Sequence, residues 1–574
     1  KRSFFIEGAN TFNFGRGGSN SEWGFGLPLP NLFYSRRIGR SPGGEVSDND
    51  YEDYPNETRI LSAAKLTGKI DNSWSIGVVS ALTERTYANL SLNGNQFEEE
   101  VEPFTHYGAI RSLKEFNGGK QALGIMMTAV NRDLRTENLR EILGDQAYTF
   151  GLDGWTFLDD DETYVVSLAA AGSYSHGSKE YIAELQKSSK RYFQRPDATY
   201  ATLDTNLTSL SGWYTKLTFN KQKGNFYVHA ALGASSPGFD YNDLGWQFIT
   251  DRITGYAVLG YRWFEPGEVF RTASVNLAYW KNYDFEGNVI NNGFFTLNDF
   301  QFANYWGLHF RSGINLDRMS RERTRGGPMT LQKTNIFMFV QGNTDQREKF
   351  IVYPSLFYWH DKSNTMNYEV GVDFQWRPST QLSISLGPQF SFNRDMTQWI
   401  DNFDDQYAAN TYNTRYVFGE LHQRTLSANI RVNWTFTPTL SLQLYVQPYF
   451  SIGSFNNFKE LDRSRTADYN IYGEGNSSIE FNGENDEYTV DPDGDGPAET
   501  FSFENPDFNF KSLRGNLVLR WEVNPGSIFY FVWTHERINE NYPGSFNFSR
   551  DFSRLWGENS DNMFMLKFAY WLDI

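Results

Sequence analysis

Cysteine is absent from all 574 residues, so neither a disulfide framework nor thiolate chemistry enters any reading of this chain. There is also no stretch approaching eighteen consecutive apolar residues, which excludes a transmembrane helix. Histidine is scarce, with seven copies and no two of them four apart, so the helical metal-binding pair is missing. Basic charge is in deficit: 52 Lys and Arg stand against 69 Asp and Glu, a net charge of −17. A nucleic-acid partner is therefore excluded, because phosphate binding needs a basic face. No leader peptide is recognisable at Lys1, and an upstream segment is expected to be cleaved or to lie outside this sequence.

Aromatic residues are abundant. They make up 17% of the chain, 49 Phe, 33 Tyr and 16 Trp, yet the mean hydropathy is −0.56. A polar average with so many rings fits a barrel whose strands alternate lipid-facing and lumen-facing residues between aromatic girdles. The alternation is explicit in the second half. Leu440, Leu442, Leu444 and Val446 interleave with Ser441, Gln443, Tyr445 and Gln447. Leu382, Ile384 and Leu386 do the same against Gln381, Ser383 and Ser385. Ala428, Ile430, Val432 and Trp434 alternate with Asn429, Arg431 and Asn433. Leu513, Leu517, Leu519 and Trp521 alternate with Arg514, Asn516, Arg520 and Glu522. Arg431, Arg514, Arg520 and Glu522 are thus the expected lumen-facing charges.

Connections come in two lengths. Short ones follow an aromatic residue, as in Trp263-Phe264-Glu265-Pro266-Gly267, Trp376-Arg377-Pro378 and Phe436-Thr437-Pro438. Long polar ones span 41–57, 87–102, 177–206, 316–332, 394–411, 454–507 and 540–559. Short periplasmic turns alternating with long extracellular loops define the expected fold: an all-β, transmembrane, antiparallel up-and-down barrel of about 22 strands, within a range of roughly 20 to 26. The division that follows is an N-terminal periplasmic or lumenal segment at 1–30, then a barrel from 31 to 574 with its largest loop at 454–507. The first wall strand is expected near 31–40. The strand ending at Phe436 carries Glu420, His422 and Arg424 in its apolar register, so its upper part should rise above the bilayer. The last strand sets Phe564, Leu566, Phe568, Tyr570 and Leu572 on one face, the form of a recognition signal for the barrel assembly machinery.

Several segments together resemble a known family. They are Phe4-Phe5-Ile6-Glu7-Gly8-Ala9-Asn10-Thr11-Phe12, Leu32-Phe33-Tyr34-Ser35-Arg36-Arg37-Ile38-Gly39-Arg40, Arg325-Gly326-Gly327-Pro328, Arg415-Tyr416-Val417-Phe418-Gly419-Glu420 and Lys567-Phe568-Ala569-Tyr570-Trp571. In these the chain is similar to an uncharacterised family of Gram-negative outer-membrane barrels. Its members typically carry a family-9-like carbohydrate-binding module upstream, which these residues do not include. The resemblance implies the fold and an integral outer-membrane location. It implies no activity.

Two constellations are candidate sites. Glu7 with Arg36, Arg37 and Arg40 suits a carboxylate–guanidinium clamp. It would act as a small plug that sets pore selectivity, or simply as a seat for the N-terminus. Asp491, Asp493 and Asp495 with Gly496 and Glu499 resemble a calcium loop, although Ser502 stands where a bidentate Glu belongs. Calcium is the only cofactor the sequence suggests, and an acidic surface turn is the plainer account. The acidic runs Glu45 to Glu57 and Glu98 to Glu102 read as solvated loops. Ser173-Tyr174-Ser175-His176-Gly177 is a faint nucleophile-elbow pattern without its first glycine, so no enzyme is expected.

The expected function is a channel or transport barrel for a polar solute of the oligosaccharide or peptide class. A barrel of this size is too wide for side chains alone to fill. The alternative is a surface scaffold that docks a lipoprotein or glycan through 454–507. An embedded hydrolase ranks third. Expected partners are outer-membrane lipid and lipopolysaccharide, and the assembly machinery at the last strand.

Overall fold

The structure is a computed structural model describing residues 3–15, 17–540 and 544–570. Its main sheet has twenty-two strands and closes as a barrel. In chain order these are β1 (Ile60–Asp71), β2 (Trp74–Thr83), β3 (Phe104–Phe116), β4 (Gln121–Asp133), β5 (Gln146–Phe157), β6 (Tyr164–His176), β7 (Ser209–Lys221) and β8 (Phe226–Ser235). Next come β9 (Arg252–Trp263), β10 (Phe270–Tyr283), β11 (Val289–Phe302), β12 (Gly307–Asn315), β13 (Asn335–Asn343), β14 (Phe350–Asp361) and β15 (Met366–Ser379). The series ends with β16 (Leu382–Asp404), β17 (Thr414–Thr437), β18 (Leu440–Leu461), β19 (Tyr469–Ile471), β20 (Phe508–Asn524), β21 (Ser527–Asn539) and β22 (Asp561–Ala569). The chain divides into two compact units. One comprises Lys1–Gly260, Ala278–Asn292 and Met319–Met329; the other comprises Tyr261–Leu277, Gly293–Arg318 and Thr330–Ile574.

The count matches the expected 22, but the membership does not. Residues 31–40 are not a wall strand. They form a 3-10 turn, Ser35–Arg37, and their one β-type pairing is an isolated Asn31–Trp246 bridge. The reason is electrostatic. Arg36 and Arg37 are adjacent, so in a wall strand one of them would face lipid, at a cost of several kcal/mol at mid-membrane, on the order of 2–4. The sheet instead gains β19, a three-residue strand paired with the top of β18.

In the first unit the period-two pattern is strict. Along β4, Leu123, Ile125 and Met127 are exposed while Met126, Thr128, Val130 and Arg132 are buried. Leu168, Leu217 and Leu232 continue the exposed apolar face. A wall that exposes so much aliphatic surface is built for lipid. Its other face is covered by the N-terminal segment. Phe5, Phe12, Phe14, Leu27, Leu32 and Phe33 pack with Val79, Tyr107, Met126 and Tyr214 in one core. Gly151 makes this possible, since a Cβ there would lie 2.5 Å from the Phe14 ring.

In the second unit β16, β17 and β18 run to 23, 24 and 22 residues. About 9–11 suffice to span a membrane, so these strands continue as a raised wall. Two expected loops are therefore shorter than their polarity suggests, because 394–404 and 454–461 remain in strand. Glu420, in the apolar register, is 2% exposed but fully partnered. It accepts from Arg394 Nε at 2.7 Å and Asn457 Nδ2 at 2.9 Å, and lies 2.8 Å from His422 Nε2. The rest of the long loop folds as a three-stranded sheet, Ser478–Asn482, Glu487–Asp491 and Phe501–Glu504. Val490 and Phe503 pack it onto Val417 and Phe458 of the raised wall. The last strand shows Phe564, Leu566 and Phe568 on its outward face. Trp571, Leu572 and Ile574 lie outside the described residues.

Candidate functional site

The first unit holds its N-terminal segment by buried charges on the inner wall. Arg111 on β3 and Asp153 on β5 form a bidentate pair at 2.5 and 2.8 Å, with each side chain 2% exposed. Gly124, on the strand between them, leaves the room: a Cβ there would lie 2.5 Å from Asp153 Oδ1. Asp153 Oδ2 also accepts from the backbone N–H of Gly15 at 2.9 Å, tying the segment to the wall. A second anchor is Lys216 on β7, 1% exposed, which pairs with Glu22 and donates to the carbonyl of Leu27 at 3.1 Å. A third is aromatic. Trp23 Nε1 donates to Tyr227 Oη at 2.6 Å, and Phe25 stacks on Trp280 at 5.2 Å. Charges in a dry interior are tolerated only where each is paired and hydrogen-bonded.

The expected clamp of Glu7 with three arginines is not assembled among the described residues. Glu7 is exposed, and its backbone carbonyl accepts from Lys65 Nζ. Arg36 is exposed on its turn. Arg37 donates to Asn242 Oδ1 at 2.6 Å and Gly245 O at 3.1 Å, and lies over Trp246 at 5.4 Å. Arg40 meets Glu102 at 3.6 Å. Arg37 and Arg40 thus reach the connections at 236–251 and 84–103 instead of Glu7. The true anchors were visible as single charges in the lumen register beside lipid-facing residues: Arg111 after Ile110, Asp153 after Leu152, and Lys216 before Leu217.

The inner face of the second unit is set by register. Arg431 pairs across with Tyr445, Gln447 with Arg514, and Ser441 with Arg520. The four expected lumen charges therefore share the face opposite Leu442, Leu444, Leu517 and Leu519. Arg431 lies 4.9 Å over the Tyr445 ring, whose hydroxyl donates to Asn429 at 2.8 Å. Arg514 Nε donates to Glu536 at 2.5 Å, and Arg520 Nη2 to Glu522 at 2.8 Å. These side chains remain wet: Arg514 and Glu536 are 58% and 38% exposed. The same face carries rings that sequence reasoning passed over. Phe337 and Phe339 on β13 stand opposite Trp359 and Phe357 on β14, with Glu369 and Asp373 on the next strand. Inward aromatics break the polar-in rule, so alternation alone hid them.

The acidic segment between the second and third strands of the loop sheet is a turn. Asp491 Oδ1 accepts from Gly494 N at 2.7 Å, and Asp493 Oδ2 accepts from Ala498 N at 3.1 Å. Among the described residues no three carboxylate or imidazole groups converge as a metal site, so Asp491, Asp493, Asp495 and Glu499 are not brought together. Ser175 and His176 are neighbours on β6 and so point to opposite faces. His176 Nδ1 meets Asp145 at 2.6 Å, and Ser175 is buried.

A family description, "Domain of unknown function (DUF5916)", matches residues 1–140 and 178–574. No curated protein matches the chain. Among solved structures, the FrpB iron transporter from Neisseria meningitidis (F3-3 variant) is 8% identical at a TM-score of 0.40, over 81% of this chain and 77% of that one. The siderophore receptor PirA from Acinetobacter baumannii is 8% identical at 0.38, over 94% and 82%. An anion-selective porin from Comamonas acidovorans is 10% identical at 0.26, over 58% and 91%. Likenesses this distant carry nothing about solute or mechanism.

Proposed function

The chain belongs to the family described as DUF5916, and from that premise, with no activity attached to the family, we propose that it is an integral outer-membrane transport barrel for polar solutes. One observation carries the reading. The inner wall of the second unit presents solvent-exposed paired charges beside aromatic rings, whereas the inner wall of the first is sealed by the chain's own N-terminal segment. Wet charges on the inside of a membrane barrel serve a water-filled path. Ring faces flanked by carboxylates suit sugars, so oligosaccharides are the first solute class and peptides the second. The segment at 3–40 acts as a built-in plug seated by Arg111, Asp153 and Lys216.

Single-channel conductance in a planar bilayer tests this. Steady openings that enlarge in Glu22→Gln/Asp153→Asn, with liposome swelling in oligosaccharides, are expected. A silent bilayer with both forms, insertion being verified, overturns it. The folded sheet at 478–504 supports a second reading, a platform for a surface lipoprotein or glycan. Stoichiometric co-purification that is lost when this sheet is deleted would favour it.

A further inference from the structure

The segment between β21 and β22 contains a helix, α1 (Phe548–Gly557), capped by Asn547, whose side chain accepts from Arg550 N. It lies on the outside of the barrel wall. Leu555, 2% exposed, packs on Leu426, Phe450, Ile452 and Leu513. The cross-strand partners Leu426–Phe450 and Pro448–Leu513 belong to the outward, apolar register. Asp551 is also buried, and it accepts from Asn509 Nδ2 of the wall at 3.3 Å.

With this underside seated, the helix still carries a second apolar stripe. Phe548, Phe552 and Trp556 recur every four residues and stack successively at 5.9 Å. They are 50%, 45% and 59% exposed. Phe548 touches Phe450 of the wall at 5.8 Å, so the stripe is continuous with the lipid-facing surface. Arg537, also in the outward register, lies 5.1 Å over the Trp556 ring.

The height of the helix identifies what covers the stripe. On β20, Trp521 marks the periplasmic end of the apolar face and Leu513 meets the helix. Those eight positions make about 27 Å of strand at roughly 3.4 Å per residue. At a tilt of about 40° they rise about 21 Å, close to the ~25 Å apolar band of such barrels. The stripe therefore stands at the outer-leaflet boundary, where aromatic rings and arginine are favoured.

We propose that α1 is an interfacial anchor whose Phe548–Phe552–Trp556 stripe is immersed in the acyl boundary of the outer leaflet. It fixes this connection to the membrane surface instead of leaving it free above the pore. This rests on the barrel spanning a membrane, so the experiment carries its own control. The chain has no native cysteine, so single nitroxide labels are clean. Phe552→Cys, Leu566→Cys on the outward face of β22 and Glu484→Cys in the loop sheet are each labelled in lipid bilayers. Accessibility to oxygen and to a nickel chelate is then compared. Phe552 is expected to match Leu566, oxygen-rich and several-fold protected from nickel relative to Glu484. A lipid-like Leu566 with a nickel-accessible Phe552 overturns the anchor while leaving the barrel standing. Nickel access at both sites overturns the membrane reading itself. Dipolar broadening between Phe552 labels would show the stripe covered by a second copy, which also overturns the anchor.

Discussion

The two units solve one problem in opposite ways. Each must line the inside of a membrane wall with polar groups, because the outside is committed to lipid. The first buries its inner charges and pairs them one to one: Arg111 and Asp153 are 2% exposed, and Lys216 is 1%. The second leaves them wet, with Arg514 at 58% exposure beside Glu536. A dry pair is demanding. Losing one partner strands the other in low dielectric, whereas a wet pair is screened and replaceable. The inner wall of the first unit is therefore architecture, and that of the second is free to be function.

The largest test of this contrast is Asp153→Ala. It leaves Arg111 buried and unpaired and releases Gly15, and should cost about 3–5 kcal/mol in denaturant unfolding. A loss under about 1 kcal/mol, the exposed-pair value, would erase the distinction. Glu22→Gln comes next. Lys216 keeps the Leu27 carbonyl, so about 1–3 kcal/mol is expected, with larger or noisier conductance. Unchanged conductance would separate the plug from the pore. Arg514→Ala in the second unit should change stability by less than about 1 kcal/mol yet shift ion selectivity toward cations, read as a reversal potential in a salt gradient.

The smallest effect is acid sensitivity at the turns. Asp345 is held below its ordinary value by a hydrogen bond from Arg347, and Asp159 by the backbone N–H of Tyr164. Both pKa values are depressed in the folded state. Their contributions are present above the ordinary carboxylate pKa of about 3.8 and are lost as pH falls from there through the lowered values. Asp345→Asn and Asp159→Asn should each flatten the acid limb of a melting-temperature profile slightly and equally. Unequal effects would mean the units differ at their turns as well as inside.

Much of this was legible in advance. The apolar faces at Leu440–Val446 and Leu513–Trp521 follow from a two-residue period that needs no partner to be seen. The charges Arg431, Arg514, Arg520 and Glu522 came with them, being the alternate positions. The seat of the N-terminus was misread, since pairing Glu7 with Arg36, Arg37 and Arg40 used charge complementarity alone. The actual bonds join Gly15 to Asp153 and Glu22 to Lys216, more than a hundred residues apart in chain. The acidic turn at 491–499 looked like a metal loop because spacing records which residues alternate, not whether their oxygens converge on one point.

What the sequence determined by itself is the class of solvent on each side of the wall. Side-chain transfer energies act locally, so alternation, aromatic-marked short turns and long polar connections decide a lipid-spanning barrel without knowledge of its neighbours. What only the tertiary structure decided is which stretch of wall is dry and which is wet. Fewer than forty N-terminal residues can be laid against one set of strands or another at little difference in local propensity. The choice falls to buried charges and small residues, Arg111, Gly124, Asp153, Gly151 and Lys216, whose meaning appears only when the strands that carry them are side by side.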